Sequence, residues 1–242
     1  MPSPPVLGVL AHDLRWTIVS LLVPGDLRTS EIVARTGQAP SLVSYHLARL
    51  RDAGLVSVRR STADGRDSYH ALDLEAIGGA VVGMASRIHP RLLAETGARN
   101  AGPTGPPARV LFICSGNSAR SPMAEGWLNH LGGGWVTARS AGISPGSPHP
   151  LAVAAMAEHG VDISGHRPTH LSQFADDSFA RVITLCDRAR ENCGDLPRES
   201  AAVHWSIPNP AQAHPPDLDA FRVTARELRA RIRYLLPVLA GA

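Results

Sequence analysis

Cys114 and Arg120 are separated by five residues and lie between an apolar run and a segment that begins like a helix. Residues 109–113 predict a short buried strand, and Pro122 suits the first position of a helix. Between a strand and a helix N-terminus, successive backbone N–H groups and the helix dipole create a positive field that can hold a tetrahedral oxyanion. The same field favours the thiolate form of Cys114, which can then attack as a nucleophile.

The residues around this pair can be given roles. Arg120 is expected to grip two oxyanion oxygens in a bidentate fork, a role that lysine fills poorly. Ser121 fits the N-cap of the helix, and its hydroxyl can donate a hydrogen bond to the sulfur of Cys114. The helix is expected to end near Leu131, before three glycines. The predicted oxyanion-binding loop consists of Ser115, Gly116, Asn117, Ser118 and Ala119.

Two further cysteines, Cys186 and Cys193, follow residues 181–185, a second apolar run that predicts a strand. The chain has three cysteines, and all of them lie in its second half. An odd number of cysteines, together with a start that does not read as a secretory signal, argues against a secreted disulfide scaffold. We expect a reducing, cytoplasmic compartment in which thiols do chemistry.

Residues 114–126 resemble the phosphate loop of the low-molecular-weight protein tyrosine phosphatase fold, which phosphatases share with thioredoxin-coupled arsenate reductases; the resemblance covers nearly all of residues 108–242. Cys186 and Cys193, seven positions apart, match the reductase signature. The resemblance implies that Cys114 attacks arsenate and that Cys186 then attacks Cys114 as arsenite leaves. It further implies that Cys193 forms a disulfide with Cys186, which thioredoxin or another thiol donor reduces, and that no cofactor is tightly bound.

Geometry adds an expectation about the segment between Cys186 and Cys193. If it is helical when reduced, a rise of about 1.5 Å per residue separates the two Cα atoms by roughly 10 Å, beyond the limit of about 7 Å for a disulfide. The segment must therefore unwind on oxidation, and we predict that its local stability is low.

The general acid of this fold is replaced. Members carry an aspartate just before a proline in a late loop, and here Asn209 occupies that position. An amide cannot deliver a proton, and a positioned acid contributes about 10²- to 10⁴-fold. Phosphate esters should suffer most, because their alkoxide leaving group needs protonation, whereas arsenate expels hydroxide or water. We expect weak phosphatase activity and surviving, although reduced, reductase activity.

No metal site is predicted. Asn117, Glu125 and Ser140 match positions that help to bind a structural potassium ion in some reductases, but the aspartate that completes the set has no counterpart near His170. Four histidines of the first half show no ligand spacing. They are His12, His46, His70 and His89.

The elements that position these residues form two domains. Residues 96–107 are rich in Gly and Pro and read as a linker. Residues 1–95 read as a mainly α winged helix-turn-helix, and residues 108–242 as an α/β domain with a parallel sheet. No apolar stretch reaches the roughly 18 residues needed to cross a bilayer, so no membrane association is expected.

The first domain is predicted to contain four helices and a hairpin. The expected helices cover residues 7–23, 31–35, 41–53 and 74–93, and the hairpin joins residues 55–60 to 68–72. Residues 35–66 carry six arginines and two acidic residues, a patch suited to a phosphate backbone. The third helix would enter the major groove, and the wing would contact phosphates. The candidate DNA contacts are Ser41, Ser44, Tyr45, His46, Arg49, Arg59, Arg60 and Arg66.

Residues 41–56 resemble the recognition helix and wing entry of ArsR-type metalloregulators, and the similarity extends over about residues 5–92. It implies a homodimer that pairs through its first and last helices and binds a palindromic operator. Arsenic-sensing members carry a cysteine pair in the second helix, whereas residues 29–35 contain none. Because trivalent arsenic prefers thiolates, this domain alone should not sense arsenic in their way.

Taken together, the sequence predicts an arsenate reductase fused to a DNA-binding repressor of arsenic-resistance genes. One alternative is a regulator whose second domain senses an oxyanion or arsenite without turnover. Another is a phosphatase fused to a regulator, which the pair Cys186 and Cys193 disfavours.

Overall fold

The chain folds into two compact units, Met1–Ala101 and Gly102–Ala242. A computed structural model describes residues 5–63, 65–89, 106–192, 201–212 and 217–240. Most of the predicted linker, residues 96–105, lies outside the described residues.

The first unit consists of helices and a small antiparallel sheet. Its elements are α1 Pro5–Leu10, α2 Asp13–Leu22, β1 Leu27–Arg28, α3 Thr29–Thr36, α4 Pro40–Asp52, β2 Val56–Arg60, β3 Ser68–Leu72 and α5 Leu74–Ile88. The sheet has the order β1-β3-β2, and β2 and β3 form the expected hairpin, with Arg60 opposite Ser68. This arrangement confirms the predicted winged-helix architecture.

The prediction of one continuous helix over residues 7–23 was wrong. The helix breaks after Leu10, and His12 becomes the N-cap of α2, where its Nδ1 atom accepts a hydrogen bond from the backbone N–H of Leu14. Apolar spacing could not reveal this break, because both short helices place apolar residues toward the same core. The last helix, expected over residues 74–93, is described as far as Ile88, and residues 90–93 lie outside the described part.

The core of the first unit is built from one face of each of α2, α3 and α4, together with the start of β2, the strand that follows α4. In α4, Val43, Leu47 and Leu50 are buried at helical spacing. Leu42 is 40% exposed, because it lies one position before the buried stripe. The buried cluster comprises Ile18, Leu22, Leu27, Ile32, Val43, Leu47, Leu50, Leu55 and Val56.

The second unit is an α/β fold with a parallel sheet, as predicted. Its elements are β4 Ala108–Cys114, α6 Arg120–Leu131, β5 Val136–Gly142, α7 Pro150–Ala157, a 3₁₀ turn Leu171–Phe174, β6 Arg181–Thr184, α8 Asp187–Asn192, β7 Ala201–His204, a 3₁₀ turn Pro210–Gln212 and α9 Leu218–Ala240. The strand order is β5-β4-β6-β7, and every neighbouring pair is parallel. Residues 110–113 of β4 are fully buried at the centre.

This strand order determines where a site can form. β5 and β6 flank β4 on opposite sides, so the direction in which successive strands are added to the sheet reverses next to β4. Ligands of open parallel sheets bind at such a point, beyond the carboxyl ends of the strands. Cys114 ends β4, and Cys186 lies two residues after the end of β6, so both cysteines are at this edge.

Within the described ranges, no helix is long and apolar enough to cross a membrane. The same ranges contain no group of three or more His, Cys, Asp and Glu side chains placed to hold a metal ion.

His70 lies in the middle of β3 and is buried within the first unit. Its Nε2 atom lies 2.9 Å from Thr29 Oγ1. Burial lowers the pKa of His70 to about 4; nearby Arg51 acts in the same direction, and Asp26 acts against both. The folded unit therefore holds a neutral imidazole at neutral pH.

We expect the free energy of unfolding of the first unit to decrease as the pH falls from about 6.5 to about 4, by on the order of 3 kcal/mol. In that window the unfolded chain takes up a proton on His70 and the folded unit does not, so acid favours unfolding. The measurement compares the free energy of unfolding in urea at pH 7 and pH 4. Hydrogen exchange in peptides of residues 14–58 reports the unfolding of the first unit. His70→Gln should remove this part of the pH dependence. An equal dependence in both proteins would contradict the assignment.

Candidate active site and DNA-binding surface

The loop after β4 is held open by backbone hydrogen bonds from the segment that follows β5. The carbonyl oxygens of Ser115, Gly116 and Ser118 accept hydrogen bonds of 2.9, 2.9 and 2.8 Å from the backbone N–H groups of residues 144, 146 and 149. In a trans peptide the N–H points opposite to the C=O. The peptide N–H groups that follow these carbonyls therefore point to the other side, into the loop, where an anion can accept from them.

Asn117 fixes the shape of this loop. It is fully buried and has a φ of 43°, in the left-handed region that asparagine tolerates better than most residues. Its Nδ2 atom donates to Ser121 Oγ at 3.0 Å and to Ser140 Oγ at 2.8 Å. Its Oδ1 atom accepts from the Thr169 N–H at 2.8 Å and lies 3.2 Å from His166 Nε2. These bonds over-determine a strained backbone position.

The strand β5 approaches the loop at Gly142. A Cβ atom at this position would lie 2.8 Å from the backbone nitrogen of Asn117 and 3.0 Å from the carbonyl oxygen of Ser115. Both are main-chain atoms, which cannot rotate aside. Only glycine therefore fits where the strand meets the loop.

The three residues that the resemblance associates with potassium do not fit a cation. Ser140 accepts from the amide nitrogen of Asn117 and donates to Glu125 Oε2 at 2.6 Å. The oxygen of Asn117 faces His166 and Thr169 instead. The oxygen atoms of these three side chains are thus engaged in hydrogen bonds within the protein.

Ser121 contacts the sulfur of Cys114, with 3.0 Å between Oγ and Sγ. Because Asn117 donates to this hydroxyl, the one hydrogen of Ser121 can be directed to the sulfur of Cys114 or to the carbonyl of Ala141. The expectation that Ser121 is the N-cap was wrong: α6 begins at Arg120, and Ala119 is the N-cap. The hydroxyl of Ser121 turns into the site, within 3.4 Å of the Ala141 carbonyl, instead of capping its own helix.

Arg120 is 6% exposed and is oriented by two carbonyl groups. Its Nη1 atom donates to the carbonyl of Ile207 at 3.0 Å and lies 3.5 Å from that of Leu185. Its Nε atom is buried and lacks a hydrogen-bond partner among the described residues. A buried donor without a partner is costly, and a bound oxyanion would satisfy it.

Cys186 lies beside this loop. Its sulfur is buried, lies 3.2 Å from Ser115 Oγ and accepts from the backbone N–H of Ala189 at 3.3 Å. Ser115 directly follows Cys114 in the chain, so both thiols contact the same short stretch of loop. Cys193 lies outside the described residues.

Asn209 is half-buried at the start of a 3₁₀ turn. Its Oδ1 atom accepts from the backbone N–H of Ala211 at 3.3 Å, and its carbonyl accepts from the N–H of Gln212 at 3.1 Å. The side chain thus caps the turn, a role that an aspartate could also fill.

The exposed face of α4 contains four of the five predicted DNA contacts. Ser41, Ser44, Tyr45 and Arg49 are exposed, and Tyr45 is 57% exposed. The prediction that His46 faces solvent was wrong, because position 46 lies on the helix face of the buried leucines and is 3% exposed. Its ring packs on the ring of His12, with 4.3 Å between the centroids.

The wing presents the other three candidates. Arg60 and Arg66 are exposed, and Arg59 is half-buried on β2. Asp64, at the tip of the expected turn, lies outside the described residues. Backbone and side chains thus place all three arginines at or beside the hairpin turn.

Several residues of the site had no sequence signal. His166 and Thr169 reach Asn117 from a loop about fifty positions away, and no spacing rule connects them. Asp187 and His204 form a buried pair beside Cys186. The position of Asp187 directly after a cysteine was visible, but its burial was not.

Comparison with known proteins gives two family matches. Residues 109–240 match the family described as low molecular weight phosphotyrosine protein phosphatase, and residues 12–58 match bacterial regulatory protein, arsR family. The first match spans more than half of the chain.

The similar proteins include arsenate reductases. An arsenate reductase of Halalkalibacterium halodurans is 38% identical over 128 residues, which are 51% of this chain and 91% of that protein. An arsenate reductase of Staphylococcus aureus is 40% identical over 102 residues, 42% of this chain and 78% of that protein. A solved structure of an arsenate reductase in the phosphate binding state is 32% identical, covers 55% of this chain and 98% of its own, and has a TM-score of 0.47.

Proposed function

The chain belongs to the low molecular weight phosphotyrosine protein phosphatase family, and we propose that its second unit reduces arsenate to arsenite through Cys114, Cys186 and Cys193. The observation that carries this proposal is the second buried thiol beside the oxyanion loop, 3.2 Å from Ser115 Oγ. A phosphatase of this fold needs only the first thiol. The resemblance to arsenate reductases drawn from the sequence agrees with the named relatives.

The first step is binding and attack. The inward N–H groups of the loop and the guanidinium of Arg120 hold the arsenate oxygens, while the hydroxyl of Ser121 stabilises the thiolate of Cys114. The thiolate attacks arsenic(V), a sulfur–arsenic bond forms, and one arsenic oxygen leaves as water or hydroxide.

The second step transfers electrons between sulfur and arsenic. Cys186 attacks the sulfur of Cys114, a sulfur–sulfur bond forms, and the sulfur–arsenic bond breaks with its electron pair on arsenic, which leaves as arsenic(III). Cys193 then attacks Cys186 and frees Cys114. Two thiols are oxidised to one disulfide for each arsenate reduced, and thioredoxin or another thiol donor restores them.

Asn209 favours reduction over ester hydrolysis. An amide cannot protonate an alkoxide leaving group. Loss of the acid should lower the rate of a phosphatase about 10²- to 10⁴-fold. None of the three attacks in the reductase cycle expels an alkoxide, so arsenate reduction tolerates the amide better.

We further propose that the first unit, roughly residues 1–95, binds operator DNA as a homodimer. The arsR match and the exposed side chains of α4 and the wing arginines support this role. α5 buries none of its residues in the single chain, and its Val81, Val82 and Ile88 are exposed, as expected of a helix that pairs with a second copy. Such a protein would act in the cytoplasm on arsenic-resistance genes.

Because Asn209 replaces the general acid, it is also compatible with a second function, in which the second unit senses an oxyanion without turnover. Such a sensor would bind arsenate and alter DNA binding without consuming reductant. Arsenate-dependent consumption of reductant distinguishes the reductase from the sensor.

The three Cys→Ser variants should fail at different steps of arsenate-dependent NADPH oxidation with thioredoxin and thioredoxin reductase. Cys114→Ser should form no adduct, and Cys186→Ser should stop at the adduct. Cys193→Ser should release one equivalent of arsenite and then stop, because the disulfide between residues 114 and 186 cannot be resolved. Mass spectrometry of the oxidised wild type should find Cys186 joined to Cys193. Arsenate binding without NADPH oxidation by the wild type would favour the sensor.

Asn209→Asp should restore an acid to the phosphatase reaction. We expect the hydrolysis of p-nitrophenyl phosphate to rise about 10²-fold, while arsenate reduction changes far less. Cys114→Ser combined with Asn209→Asp is the control and should remain inactive on the ester. An unchanged rate of p-nitrophenyl phosphate hydrolysis in Asn209→Asp alone would contradict this explanation of why the site favours reduction over ester hydrolysis.

Arg49→Ala should weaken binding to a DNA duplex that the wild type selects from a random pool. Loss of one phosphate or base contact should cost about 1–3 kcal/mol, or about 5- to 150-fold in affinity, at fixed salt. Arg139→Ala, an exposed arginine of the second unit, removes the same charge and should leave the affinity unchanged. Equal losses in both variants would point to non-specific attraction.

A further inference from the structure

A buried polar cluster surrounds Asp187, the first residue of α8 and the neighbour of Cys186. Asp187 is 2% exposed, His204 1% and Ser206 4%. Oδ1 of Asp187 accepts from Ser206 Oγ at 2.8 Å and lies 3.1 Å from His204 Nε2. Side chains this deeply buried are paired because an unpaired charge there would be costly.

The other ring nitrogen of His204 extends the cluster to β6. Nδ1 lies 2.8 Å from Thr184 Oγ1 and 3.1 Å from the carbonyl oxygen of Thr184. Both ring nitrogens of His204 are therefore engaged, one by Thr184 and the other by Asp187.

The cluster joins three pieces of the fold at the edge where the cysteines lie. Thr184 ends β6, Asp187 begins α8, and His204 ends β7. Cys186 directly precedes α8 and is tied to its first turn, because its carbonyl accepts from the Arg190 N–H at 3.1 Å and its sulfur from the Ala189 N–H at 3.3 Å. A side chain that holds the start of α8 thus also holds Cys186.

We propose that Asp187, His204 and Ser206 form a buried anchor that keeps Cys186 beside the oxyanion loop, in position to attack Cys114. This proposal rests on the proposed reductase function. Asp187 is a positioning residue, since it acts through Cys186.

The test isolates the attack of Cys186 on Cys114 by using the Cys193→Ser protein, in which the reaction stops after that step. Asp187→Ala in this background should slow single-turnover arsenite release by at least about tenfold, because a thiol displaced by about 1 Å reacts far more slowly. Its affinity for inorganic phosphate, which reports the loop, should stay within about twofold. Asp187→Asn keeps hydrogen bonds to Ser206 and His204 and should retain most of the rate.

Asp162→Ala is the matched control. Asp162 is likewise a hydrogen-bonded aspartate, which accepts from the backbone N–H of Ser164 at 2.8 Å, but it is exposed and belongs to another loop. This variant should release arsenite at the parental rate. A role in stability alone would lower the melting temperature of Asp187→Ala without changing the rate per folded molecule, and that result would overturn the proposal.

Two measurements separate failure of the anchor from failure of the reductase. If Cys193→Ser itself releases no arsenite, the reductase is wrong, and the rate at which diamide joins Cys114 to Cys186 then replaces arsenite release as the test of the anchor. Hydrogen exchange at Ala189 and Arg190 in the reduced protein should be at least about tenfold faster in Asp187→Ala than in Asp162→Ala, because the first turn of α8 loses its attachment. Unchanged exchange and unchanged diamide rates would reject the anchor whatever the reductase assay gives.

Discussion

Three backbone hydrogen bonds determine the chemistry of the second unit. N–H groups of residues 144, 146 and 149 hold carbonyl oxygens of the loop after Cys114, and planar trans peptides then turn the loop N–H groups inward. Without this constraint the loop could turn carbonyl oxygens toward its centre, which would repel an anion and a thiolate. Arg120 and Ser121 complete a positive environment that the main chain creates.

The local part of this site could be predicted from the sequence, because its geometry depends on neighbours in the chain. A strand, five loop residues and a helix start place Cys114 and Arg120 together wherever the pattern occurs. The parallel sheet follows from alternating strands and helices, and it brings the ends of β4 and β6 to one edge. The starting residue of α6 differed by two positions from the expectation, since the hydroxyl of Ser121 serves the sulfur and not the helix end.

The rest of the site depends on contacts between distant segments, for which one sequence offers no signal. His166 and Thr169 hold Asn117 from another loop, and the cluster around Asp187 assembles from the ends of neighbouring strands. His46 shows the opposite difficulty. A polar residue in a recognition helix suggests contact with DNA, but its position on the helical wheel, next to buried leucines, outweighs its polarity.

The close approach of Gly142 to the loop has a consequence for how new activities could arise on this scaffold. A side chain at this position would collide with main-chain atoms of Asn117 and Ser115, so the strand end and the loop can only change shape together. An engineer who wishes to widen the loop for a bulkier anion must therefore redesign β5 as well, although that strand contributes no reacting group. The same coupling restricts natural divergence of the loop to changes that leave its path intact.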